Sequence, residues 1–134
     1  MAAPEAVTPD IIAGRRVRRV DLDITPGVNI TVLEAADADI VLEESVRVDG
    51  DPYAAILWPS AVAAAARVAS IVRKGDIVLD LGAGTGLAAL TAARCGARAI
   101  ALDHDPFARA VVSAAAALQK LAVDVRAFDV RSHE

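Results

Sequence analysis

The sequence predicts an α/β fold built on an open parallel sheet, and three observations carry that expectation. Two short runs rich in Val, Ile, Leu and Ala, residues 77–81 and 99–102, read as strands buried on both faces of a sheet. Alanine-rich stretches with helical spacing precede, separate and follow them. Glycines fall where the first strand hands over to its helix. A strand-helix-strand-helix-strand order with right-handed crossovers gives a parallel sheet with a ligand crevice at the carboxyl ends of its strands.

The chain has 134 residues, enough for one compact domain with a real core and too few for two ordinary ones. It is 55% hydrophobic but only 3% aromatic, so Ala, Val, Leu and Ile must build the interior. The net charge of −4 argues against a general nucleic-acid binder, which would present a basic face. The one basic cluster, Arg15, Arg16, Arg18 and Arg19, reads as a solvated strand face. Arg67, Arg73, Lys74, Arg94 and Arg98 interrupt the apolar stretches before any reaches membrane-spanning length, so no membrane partner is expected. A single cysteine, Cys95, and the lack of a secretory signal point to an intracellular, cytoplasmic protein. His104 and His133 have no companions at metal-ligand spacing, and no metal is expected.

Taken in order, residues 1–50 form a β-rich N-terminal segment in which no chemistry is evident. Val17 to Ile24 alternates apolar with charged residues, and Pro26-Gly27 supplies a hairpin turn. Asn29 to Glu34 and Ile40 to Glu44 are further short β-rich runs. The turn-prone Asp49-Gly50-Asp51-Pro52 marks a boundary, and residues 51–134 form the second unit. Ser60 is placed to cap a helix through Ile71, which Gly75-Asp76 ends. The strand Ile77 to Leu81 follows, then a helix from Leu87 to Cys95 stopped by Gly96. The strand Ala99 to Leu102 ends in Asp103. Pro106 opens a helix to Leu121, with Asp105 as its cap, and Val123 to Val130 alternates as a third strand.

The strongest chemical signal is Asp80-Leu81-Gly82-Ala83-Gly84-Thr85-Gly86, set where a strand meets a helix. Its glycines let the backbone turn tightly and approach a ligand, with amides facing the cavity. A dinucleotide fingerprint wants its third glycine three residues after the second, where this chain has Leu87. That spacing disfavours a nicotinamide or flavin cofactor. Asp80 would also place negative charge beside a pyrophosphate, whereas it matches a cation. S-adenosylmethionine carries a sulfonium and an ammonium and is the expected cofactor. Asp103, about twenty residues after the glycines, is where a carboxylate can accept hydrogen bonds from ribose hydroxyls. Asp129, after the third strand, is compatible with an adenine contact or with a surface aspartate. Trp58, the only tryptophan, is compatible with a cofactor wall or with the core.

Three segments carry a resemblance to a known family: Asp51-Pro52-Tyr53-Ala54-Ala55-Ile56-Leu57-Trp58-Pro59-Ser60, Val78 to Gly86, and Ala101-Leu102-Asp103-His104-Asp105-Pro106. The chain resembles the class I, seven-β-strand methyltransferases that use S-adenosylmethionine. Within them it is similar to the electron transfer flavoprotein β-subunit lysine methyltransferase, or nicotinamide N-methyltransferase-like, group. The resemblance implies a Rossmann-like fold, truncated after the third parallel strand because the family's fourth strand and substrate-side motif do not follow. It implies that Trp58 lies against the methionine part of the cofactor. Asp80 would be the acid of the motif with Gly82, Gly84 and Gly86, Asp103 the ribose acid, and Asp129 the acid near adenine.

The expected function is therefore an S-adenosylmethionine-dependent protein lysine N-methyltransferase, present as its cofactor-binding half with a protein lysine as the possible substrate. A small-amine N-methyltransferase is the neighbouring alternative. A non-catalytic remnant or partner-binding module is the alternative of a different class. The catalytic residues and the oligomeric state are not read from the sequence.

Overall fold

The computed structural model describes residues 7–37 and 54–132. Their elements run β1 (Ile11–Ile12), β2 (Arg15–Thr25), β3 (Val28–Ala35), α1 (Pro59–Ile71), β4 (Ile77–Leu81), α2 (Leu87–Arg94), β5 (Arg98–Asp103), α3 (Pro106–Leu118) and β6 (Val123–Ala127). They form two three-stranded sheets, one ordered β1-β2-β3 and the other β4-β5-β6. The first is antiparallel. The second is parallel, as the alternation of strands and helices requires. The run from Ile40 to Glu44, the Asp49-to-Pro52 boundary and His133 lie outside the described residues.

The parallel register sets which residues share a face. Val78 pairs with Ala99 and Ala99 with Val123, so these side chains point the same way, together with Ala101 and Val125. They pack against Ala89, Ala92 and Val112 from α2 and α3. The alanines at this interface are the reason the helices can lie close to the sheet. The opposite face of β4 differs from the expectation of burial on both sides. Ile77, Leu79 and Leu81 are 66%, 62% and 58% exposed, because the described helices cover only one face and β4 is an edge strand.

The N-terminal hairpin packs on the same helices through a second apolar cluster. Val17, Ile30, Val32, Leu33 and Ala35 form one cluster with Ala65, Leu87, Leu90, Phe107 and Val111, which brings β3 onto α2 and α3. The arginine cluster is also more engaged than a solvated face would be. Arg18 pairs with the buried Glu34 at 2.6 Å, and the Arg15 guanidinium stacks 4.1 Å from the Phe107 ring centre.

Several boundaries differ from the sequence expectation. The first helix starts at Pro59 with Trp58 in the capping position and no side-chain cap, so Ser60 lies inside its first turn. α3 stops at Leu118 rather than Leu121, with Lys120 in the left-handed region at φ 55°. β6 ends at Ala127, three residues before Val130, because its pairing with β5 runs out at Asp103–Ala127. Asp105 caps α3 as expected, accepting from the Ala108 amide at 2.9 Å.

Gln119, just past α3, closes part of the outer edge of β3. Its carbonyl oxygen accepts from the Thr31 amide at 2.8 Å and its amide nitrogen donates to the Thr31 carbonyl at 2.7 Å. One side chain thus does what a paired strand residue would do. Gln119→Leu leaves both Thr31 groups without this partner and is expected to cost about 2 kcal/mol in urea denaturation. A loss below about 0.5 kcal/mol would show that solvent replaces the contact.

Candidate functional site

The crevice lies at the carboxyl ends of β4 and β5, where the loop from Gly82 to Gly86 passes between strand and helix. Its volume is about 460 Å³ and its walls include Ile56, Trp58, Asp80, Gly84, Asp103 and His104. That volume falls within the usual range for small-molecule sites. Strand parity brings the two acids together. Asp80 pairs in register with Ala101, two residues before Asp103, so both carboxylates lie on the helix-covered face at the strand ends.

Each carboxylate also organises the loop. Asp103, 6% exposed, accepts from the Gly84 amide and from the Asp105 amide, both at 2.9 Å, one through each oxygen. A carboxylate has about four acceptor positions, so capacity for two hydroxyl donors remains. Asp80 accepts from the Ala89 amide at 3.1 Å, in the first turn of α2, where the helix dipole favours an anion. Burial raises the Asp80 pKa above its ordinary value of 3.8, the Ala89 amide opposes the rise, and the charge of Asp103 adds to it.

Two of the glycines are required by their surroundings. Gly86 has φ 77°, and a Cβ there would stand 2.7 Å from both γ-carbons of Val112 on α3. Gly84 has φ 57°, and its Cβ would meet the Ala54 carbonyl oxygen at 3.2 Å. The second approach ties the glycine loop to the chain leading into the Leu-Trp-Pro element. It explains why two motifs separated by about twenty residues line one crevice.

Trp58 is 39% exposed on the crevice wall, its backbone extended at φ −88° and ψ 144°. Its position is set from the hairpin: Glu34 accepts from the Leu57 amide at 2.8 Å, and the Ala35 amide donates to the Ala55 carbonyl at 2.9 Å. Asp129 lies within electrostatic reach of His104 on the crevice wall but is held by its own turn. With β6 ended at Ala127, it sits in the following turn and does not line the crevice. Its carboxylate accepts from the Arg131 amide and from Nε and Nη2 of the same arginine, and those hydrogen bonds hold its pKa well below the usual carboxylate range.

Glu34 and His104 are site residues that the sequence reasoning missed. His104 follows Asp103 directly and reaches the crevice wall, its Nδ1 3.7 Å from the Asp103 carboxylate. A signal for Glu34 was available: it is the one charge in the run from Ile30 to Ala35, all of which is buried. Cys95 is a free thiol at the end of α2, away from the crevice walls. Among the described residues, no cluster of His, Cys, Asp or Glu could hold a metal, and no helix is long and apolar enough to cross a membrane.

Comparison with known proteins matches this architecture. The model of the family described as ribosomal protein L11 methyltransferase (PrmA) matches residues 61–132. The histone-arginine methyltransferase METTL23 of Mus musculus is 32% identical over 101 residues, which is 74% of this chain and 37% of the relative. Among solved structures, the Pyrococcus abyssi tRNA (uracil-54, C5)-methyltransferase in complex with S-adenosyl-L-homocysteine superposes with a TM-score of 0.57. It is 14% identical, covering 85% of this chain and 24% of that one. Trm5b from the same organism gives 0.53 at 18% identity, covering 88% and 37%. At these identities the two structures establish the Rossmann-like methyltransferase fold. The chain spans about a third of the length of the mouse relative.

Two substitutions test the construction of the loop. Gly86→Ala combines a left-handed backbone with the Val112 collision and is expected to cost about 3 kcal/mol, against about 1 kcal/mol for Gly82→Ala, which meets nothing within 4 Å. Equal losses in thermal or urea unfolding would refute the packing argument. Asp80 gives a pH test. Because its folded pKa is raised, the protein loses stability as pH rises from 3.8 through the raised value. Asp80→Asn should escape that loss, so its stability advantage should grow across that window and stay level above it. A constant difference at all pH values would contradict the burial cost.

Proposed function

Because the chain belongs to the ribosomal protein L11 methyltransferase (PrmA) family, we propose that it forms the cofactor-holding portion of a methyltransferase acting on a protein nitrogen. S-adenosylmethionine is its cofactor. The observation that carries the reading is the carboxylate pair, Asp80 and Asp103, at the ends of adjacent parallel strands with the glycine loop folded between them.

The donor set fits such a ligand. Asp103 keeps acceptor capacity for the two ribose hydroxyls after holding the Gly84 and Asp105 amides. Asp80, whose charged form is disfavoured by burial, gains from a neighbouring cation, so a sulfonium with an ammonium offsets its desolvation. Trp58 and Ile56 supply an apolar wall that excludes water. An adenine contact from Asp129 would require its pairing with Arg131 to open. When bound, the cofactor supplies an electrophilic methyl group, so the chain's own residues need only hold and align it.

A protein acceptor is supported by the family description, which names a ribosomal protein, and by the name of the mouse relative, which specifies histone arginine. Lysine, implied by the resemblance carried on Leu57-Trp58-Pro59, is the narrower form of the proposal. A non-catalytic module is the second reading, favoured by Ile77, Leu79 and Leu81 on β4, which the described residues leave uncovered as a surface for a partner.

Calorimetric titration with S-adenosylhomocysteine tests the site, with NADH as the control. Saturable binding of the first alone is expected, weakened about tenfold or more in Asp103→Asn. Affinity for this ammonium-bearing ligand should rise with pH through the raised Asp80 pKa, and Asp80→Asn should lose that dependence. A folded chain that binds neither ligand would sink the reading.

A further inference from the structure

Glu34 is a buried acid in a segment otherwise given over to packing. It is 5% exposed on β3, and both of its oxygens are engaged. Oε1 receives Arg18, directly across the hairpin in register, through Nε at 2.7 Å and Nη2 at 2.6 Å. Oε2 accepts from the Leu57 amide at 2.8 Å. A buried carboxylate is costly unless paired and hydrogen-bonded, and here the pairing faces one way and the backbone contact the other.

The location of that backbone contact gives it a role beyond stability. Leu57 directly precedes Trp58, the N-terminal capping residue of α1. The Ala35 amide donates to the Ala55 carbonyl two residues before Leu57, so backbone and carboxylate of adjacent residues hold the same short segment. The approach of residues 55–57 to α1 is therefore held by Glu34 and its neighbour Ala35. Ile56 and Trp58, on either side of the held amide, are the residues that wall the crevice.

We propose that Glu34, clamped by Arg18, is a positioning residue for cofactor binding: it grips the Leu57 amide and so fixes Trp58 on the crevice wall. This rests on the reading of the crevice as the S-adenosylmethionine site. The N-terminal hairpin is on this account part of the binding apparatus, although none of its residues lines the crevice.

Glu34→Gln isolates the effect. A carboxamide keeps the shape but has one acceptor atom and one donor group, so it cannot satisfy both the Leu57 amide and Arg18. Trp58 is the sole tryptophan, so emission excited at the red edge, where tyrosine does not absorb, reports its surroundings alone. With far-UV circular dichroism unchanged, Glu34→Gln is expected to shift Trp58 emission and raise the Kd for S-adenosylhomocysteine about tenfold. Gln119→Leu loosens the same hairpin without touching Leu57, and should lower the unfolding midpoint while leaving both quantities as in the wild type. Because the carboxamide oxygen of Glu34→Gln can turn to either partner, the double variant Arg18→Met with Glu34→Leu, which replaces the charge pair by apolar bulk and leaves no acceptor for the Leu57 amide, is measured beside it. It should reproduce the emission shift and the weaker binding. Wild-type emission and affinity in the folded double variant, with only stability lowered, would overturn the proposal while leaving the cofactor site intact. A wild-type chain that binds no S-adenosylhomocysteine would overturn both.

Discussion

The structure depends on how closely the glycine loop can approach its neighbours. Between β4 and α2 the chain must reverse over Asp103, pass the backbone of Ala54 and start a helix against Val112, all within Gly82 to Gly86. A side chain at Gly86 would occupy the position of the Val112 methyl groups, and one at Gly84 would press on the Ala54 carbonyl. The bond from the Gly84 amide to Asp103 then holds the loop down onto the end of β5. Helix start, strand end and crevice floor are consequences of one close-packed turn, which is why the acid and the glycines occur together.

Charge is placed around this turn with different environments for similar groups. Asp80 is held at the start of α2 in a buried position that favours its neutral form. Asp129 is half-buried and kept charged by Arg131. Asp103 is buried and hydrogen-bonded to the Gly84 amide of the loop and to the Asp105 amide at the start of α3. A ligand bearing positive charge beside Asp80 and hydroxyls beside Asp103 would complete interactions that the fold leaves incomplete, and this complementarity relates the local chemistry to the family assignment.

The hairpin and the parallel sheet are joined by polar contacts as well as by their shared apolar cluster. Gln119 binds the Thr31 backbone near one end of β3, and Glu34 with Ala35 binds residues 55 and 57 at the other. The hairpin thereby spans from the end of α3 to the start of α1. By contrast, one face of β4 carries Ile77, Leu79 and Leu81 without cover from the described helices. β4 is also the edge of its described sheet, so its backbone is open to pairing where the β3 edge is partly closed by Gln119.

The sequence by itself determined the order of strands and helices, the parallel sheet and the position of the glycine loop. Those follow from local periodicity and from glycine's conformational freedom, which short stretches of chain express directly. It also located Asp80 and Asp103 at strand ends, since strand parity is a property of the run itself. It did not determine where β6 stops, and Asp129 consequently lies in a turn, bound to Arg131 and off the crevice wall. Nor did it indicate that Arg18 faces a buried acid, or that Glu34 reaches across to the chain entering α1. Those relations were decided only by the tertiary structure, because a hydrogen bond between residues 34 and 57 depends on how the hairpin docks on the helices. No local pattern of residue types encodes that docking.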